Sequence, residues 1–176
     1  MAGEAICERS IGGSPLKVAV LSTAEQFVLG VCRCWDAFMD DPDPTLAWRE
    51  LTPVFTYMNV VRALCAFERT FIVLRRHRLR SLHFQPVDNT LVGTDEARLL
   101  CGLACLQRGR AHQAAVALGQ SMTAFGVRSI LPPMARIAAI LDAQGHRLPA
   151  WHPVRVRQRQ ERPLDETFLP PLHRAQ

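Results

Sequence analysis

Several side chains in this sequence have the types and spacing that chemistry needs. Cys101, Cys105 and His112 read C-x3-C-x6-H, and residues four apart on a helix share a face, as two thiolate ligands of a soft metal ion would. A closed zinc site needs a fourth ligand, however, and the intervening Gly102, Leu103 and Ala104 are core-like, so the two cysteines read as small buried residues. Cys32 and Cys34 sit two apart, which on a helix turns them about 160° from one another, too far to share an ion. A cysteine with His83 or His112 as base would be a nucleophile, but two side chains of common types define no triad. The adjacent acids Asp95 and Glu96 could divide the roles of general acid and base. Their place at the start of a helical pattern instead reads as compensation of the helix dipole. Asp40, Asp41 and Asp43 lack the glycine and the closing glutamate of a calcium loop and read as solvated. On these grounds no catalytic residue, no metal ligand set and no cofactor is assigned.

Binding chemistry is better represented. The mostly apolar run from Pro53 to Leu74 leads directly into Arg75, Arg76, His77, Arg78 and Arg80, and Phe84 follows. Four guanidinium groups could contact phosphates while the phenyl ring stacks on a base. The same arginines could instead cap a helix C-terminus and pair with the acidic stretch 36–50, which holds five acids and one base. The net charge of +5 rests on 21 basic residues of which only Lys17 is lysine, a bias that weakens arginine content as a sign of recognition. Farther on, Trp151 begins a Pro/Arg-rich stretch whose first half could add a strand to a partner's sheet. Its second half offers Phe168, Leu169 and Leu172 as apolar anchors.

The elements that must position these groups are helical. A spanning helix needs about 20 nearly charge-free residues, and the run after Pro53 carries Arg62, Glu68 and Arg69, so it reads as a core helix rather than a membrane anchor. Ser22 and Glu25 form a capping box for an amphipathic helix over 23–39, with Phe27, Val28, Val31, Cys32 and Trp35 on its apolar face. Asp43-Pro44 and Thr52-Pro53 each resemble a cap followed by proline and open a short helix over 44–51 and a long one over 53–76. On the long helix Asn59, Arg62, Arg69 and Arg76 share a polar face, and Cys65 and Ile72 join the apolar remainder. Thr94 caps a helix over 95–108, nearly apolar all round and stopped by Gly109. The spacing of Ala111, Ala115, Leu118, Met122 and Phe125 predicts another helix up to Gly126, and Pro132-Pro133 opens a last one ending at Gly145.

Within 95–126, Gly102 stands at a close-contact position of a first helix, Gly109 at a turn, and Ala114 and Leu118 at the small and large packing positions of a second. This segment resembles a single tetratricopeptide hairpin, with Cys101 and Cys105 in place of the usual leucine and aromatic, and no second copy follows at that family's period of about 34 residues. The resemblance implies a helical hairpin and a family that binds peptides and partner proteins. The Thr94-Asp95-Glu96 start, the double leucine Leu99-Leu100 and the ending Gly145-His146-Arg147-Leu148-Pro149 are similar to small uncharacterised helical proteins of α-proteobacteria.

The expectation is an all-α bundle of about five to six helices around a long central helix, 53–76. A flexible leader, 1–19, precedes the helical domain, 20–149, and a disordered Pro/Arg-rich tail, 150–176, follows it. No export signal is evident, because Glu4, Glu8 and Arg9 precede the first apolar run, and the cysteines are expected reduced in a cytosol. The function expected is that of a non-enzymatic cytoplasmic interaction or regulatory protein with a protein partner and no transmembrane segment. The alternatives are a nucleic-acid-associated regulator that uses Arg75–Arg80, and a metal- or thiol-dependent enzyme.

Overall fold

The structure, a computed structural model, describes residues 9–10, 16–38, 43, 45–80 and 82–152. Ser22 and Glu25 open the first helix as predicted: the Ser22 amide donates to Glu25 Oε2 at 2.7 Å, and the Glu25 amide donates to Ser22 Oγ at 3.3 Å. The helix so begun, α1 (Thr23–Phe38), buries Phe27, Val28, Val31, Cys32 and Trp35 on the face its periodicity marks.

Between Asp43 and His77 the chain departs from the sequence reading. Helix α2 spans Leu46–Tyr57 with Pro53 inside it, so the short and long predicted helices are joined across the proline. The expected helix 53–76 is instead divided after Tyr57. Asn59 takes a left-handed conformation, φ 57°, and closes a Schellman motif: its amide donates to the Thr56 carbonyl at 3.0 Å and the Val60 amide to the Phe55 carbonyl at 2.9 Å. A 3-10 turn, Val61–Ala63, then leads into α3 (Leu64–His77).

The central element is α4 (Thr94–Gln107), which buries ten residues and packs against α1, α5 and α6. Its cap is Gly93 rather than Thr94, and Glu96 Oε2 accepts the Gly93 amide at 2.7 Å. Gly109, φ 67°, ends it in a second Schellman motif and turns the chain into α5 (Ala111–Leu118). The helix predicted up to Gly126 stops at Leu118, and the last one, α6 (Ala124–Ala143), starts well before the prolines expected to open it. Thr123 is its cap, accepting the Gly126 amide at 3.1 Å. Pro132 and Pro133 lie within α6 and remove the amides that would bond the Arg128 and Ser129 carbonyls. Gly126 lets α6 approach α3, since a Cβ there would collide with His77 Cβ.

Helices α3 and α6 run antiparallel, with His77 against Phe125 at one end and Asn59 bonded to Gln144 at the other. The core joins an aromatic group, Phe27, Phe55 and Phe67, edge to face at 5.1–6.2 Å, to an aliphatic layer of Leu100, Ile130, Met134, Ile137 and Leu141. The sequence places 1–19 and 150–176 outside this body. The structure packs Leu16, Val18 and Trp151 against it and buries Ala150. Short strands β1 (Arg9–Ser10) and β2 (Trp151–His152) pair in parallel. The protein is thus an all-α bundle of six helices among the described residues. α6 alone of these is long and apolar enough to cross a membrane, and it packs on α3, α4 and α5, so no helix is clearly a transmembrane segment.

Candidate functional site

The paired carboxylates at the start of α4 are fully engaged inside the protein. Glu96 takes Arg33 of α1 in a two-point ion pair, Nε to Oε1 at 2.9 Å and Nη2 to Oε2 at 3.0 Å, and also accepts the Gln85 amide at 2.8 Å. Arg33 goes on to donate to the Asn89 and Leu91 carbonyls at 2.6 Å each, which fixes the irregular segment between α3 and α4. Asp95 accepts two hydrogen bonds from Arg80, at 2.9 and 2.7 Å, one from Arg98 at 2.8 Å, one from Ser121 at 3.0 Å and the His83 amide at 3.1 Å. Burial pushes the Asp95 carboxyl up, but the bonds from Arg80, the His83 amide, Ser121 and Arg98 outweigh it and hold it at about 2. An acid so low and so fully bonded clamps a loop; it is not poised to exchange protons near neutral pH.

Three of the thiols, Cys32, Cys101 and Cys105, are likewise internal. Cys101 and Cys105 are buried in α4, while His112 is exposed at the start of α5. The hydrogen bond to the Cys105 thiol and burial together push Cys101 up, and burial pushes Cys32 and Cys34 up as well, while the same bond from Cys101, with Arg110 and Arg108, outweighs burial and brings Cys105 down to about 7. Among the described residues no three His, Cys, Asp or Glu side chains gather as a metal site would require. The exposed thiol there is Cys65, expected in an apolar face and found on the surface.

Of the basic run, Arg75, Arg76 and Arg78 are exposed at the end of α3. Arg80 is held by Asp95, and Phe84 is half-buried with its ring 6.2 Å from that of Phe71. Trp151 is 3% exposed and its indole N–H donates to Glu25 Oε1 at 2.8 Å, which keeps it in the core rather than on offer to a partner. Phe168, Leu169 and Leu172 lie outside the described residues.

A different constellation emerges on the outer side of α3 and α6. Cys65, Arg69, Ile72 and Arg76 are all exposed and follow one another at intervals of three and four, so they form one stripe along α3, and exposed Arg62 stands in the 3-10 turn before it. Arg128, Pro132 and Arg136 are exposed along α6 beside it. Between the two helices a groove of about 410 Å³ is lined by Cys65, Ala66, Arg69, Pro132, Pro133 and Arg136. None of Arg62, Arg69, Arg76, Arg128 or Arg136 has an ion-pair partner among the described residues. Arg62, Arg69 and Arg76 were legible as a shared face. The groove was not, because it depends on α6 running antiparallel beside α3. Comparison with protein-family models, with curated proteins and with solved structures found no match.

Proposed function

We propose that the protein is a non-enzymatic, cytoplasmic interaction or regulatory protein that works by binding a protein partner. The observation that carries this reading is the outward stripe on α3, where arginines and apolar side chains alternate on a helix whose opposite side is buried in the core. Interfaces that mix arginine with apolar contact are the kind that partner proteins fill. The engagement of Asp95 and Glu96 in internal ion pairs supports a role without catalysis, and the free thiols buried at Cys32, Cys101 and Cys105 support a reducing compartment. A photo-crosslinking residue placed at Ile72 in host cells should couple to one defined protein, and the same residue at Tyr57, 88% exposed on α2, should not. Coupling to nucleic acid alone, or equal coupling from both positions, would sink the reading.

The nucleic-acid alternative keeps one specific support, the three exposed guanidinium groups of Arg75, Arg76 and Arg78 at the end of α3. A few phosphate contacts of that kind give weak binding that physiological salt removes.

A further inference from the structure

The groove between α3 and α6 has a length scale, a charge and a chemistry that select among occupants. On α3, Arg69 and Arg76 lie seven residues apart, which on a helix is about 10.5 Å along the axis. Cys65 and Ile72 repeat at the same interval, each four residues before one of these arginines; Cys65 and Arg69 line the groove, and Ile72, 41% exposed, and Arg76 continue the stripe beyond it. The stripe is therefore a heptad pattern turned outward, with cationic and apolar positions in alternation. Across the groove, Arg136 adds a cation with no ion-pair partner among the described residues, and the small or flat residues Ala66, Pro132 and Pro133 complete the lining.

Acids near this face are few. On α3 the only acid is Glu68, half-buried, and on α6 the only acid is Asp142, which Arg147 holds at 2.8 Å at the far end. The potential over the groove is accordingly positive along its length. Nucleic acid would satisfy the charge but not the apolar positions beside the arginines; among the described residues the groove lining holds no aromatic ring, and the exposed ring of Phe125 packs against His77 at the end of the helix pair.

We propose that this groove receives an acidic amphipathic α-helix of a protein partner, laid along α3 and α6 as a third helix. Carboxylates seven residues apart on that helix fall opposite Arg69 and Arg76, and its apolar residues cover Cys65, Ile72 and Pro132. The inference rests on the reading that the protein acts through a protein partner and adds the class of the partner and its seat.

The test uses the purified full chain and a fluorescent synthetic peptide of three heptads, with glutamate and leucine at repeating positions. A peptide of the same composition in scrambled order, a single-stranded DNA of equal charge and phosphatidylglycerol vesicles serve as comparisons. The repeating peptide should bind at least about tenfold more tightly than the scrambled one and slow the alkylation of Cys65, followed by peptide mass. Arg69→Glu with Arg136→Glu, both at the surface, should weaken it by about tenfold or more with helical content unchanged. Equal binding of the two peptides, binding that leaves Cys65 alkylation as fast as before, or tighter binding of the DNA or the vesicles would each overturn the proposal. If the peptide fails while crosslinking from Ile72 still captures a protein, the groove assignment falls and the protein-partner reading stands. Crosslinking to nucleic acid alone removes the reading itself.

Discussion

Asp95 and Glu96 show how adjacent residues of one charge serve the fold through different partners. Both occupy the first turn of α4, where a carboxylate is stabilised by the helix dipole, and that much is visible in the sequence. What converts them into a clamp is not visible there, because Arg33 lies 63 residues from Glu96 and Ser121 lies 26 from Asp95. The folded protein holds the Asp95 carboxyl at about 2, below its ordinary value of 3.8. A group whose value falls on folding contributes stability that is present above the ordinary value and is lost as pH drops through the folded one. The window is therefore between about pH 4 and pH 2, and the contribution at neutral pH is about 2 kcal/mol. Urea unfolding of Asp95→Asn should show that loss at pH 7 and a shallower decline than the wild type from pH 4 to pH 2. Parallel stability curves for the two proteins over that range would remove Asp95 from the account of acid unfolding.

Helix ends decide the course of this chain more than helix propensities do. Three helices close in Schellman motifs, at Asn59, Gly109 and Gly145, all with positive φ. The two glycines were legible as stops because glycine adopts that conformation without strain. Asn59 was not, since it sits within an apolar run whose period continues on both sides, and asparagine is the less frequent residue at that position. Prolines misled in the opposite direction: Pro53, Pro132 and Pro133 read as starts, yet packing of Leu51, Phe55, Ile130 and Met134 carries both helices through them. Gly126 read as a terminator and is instead the close contact with α3. The consequence at Asn59 is measurable. Asn59→Ala should lower stability by about 1–2 kcal/mol, the cost of a Cβ-bearing residue without asparagine's local hydrogen bonding in the left-handed region. Asn59→Gly should stay much closer to the wild type, offset only by the lost bond to Gln144. Equal effects from alanine and glycine would mean that the side chain, not the backbone turn, sets the break between α2 and α3.

At the scale of the molecule, the stretch after α6 closes the bundle. Residues 146–148 run across the end of α4, where Gln107 and Arg108 bond their backbone: Gln107 Nε2 donates to the His146 carbonyl at 2.9 Å and Arg108 Nη2 to the Leu148 carbonyl at 2.7 Å. The path ends with Trp151 buried beside Cys105 and bonded to Glu25, so one carboxylate serves both the cap of α1 and the last buried ring of the described chain. Proline and arginine after Pro149 made this segment read as tail from composition alone, and a single tryptophan gives no period by which to see that it docks. A buried tryptophan is nevertheless among the largest single contributors to a core, and its removal costs about 3–5 kcal/mol. Against a total of about 5–15 kcal/mol for a domain, that is a substantial fraction. A chain ending at Pro149 should therefore melt well below the full chain and be cut within its helices by protease. Trp151→Ala in the full chain isolates the indole from residues 152–176 and should account for most of the loss. Trp151→Phe should recover part of it, keeping an aromatic ring in the core while leaving Glu25 short of one donor. If the chain ending at Pro149 melts with the full-length protein, Trp151 adds nothing to stability and the domain ends where the sequence places it.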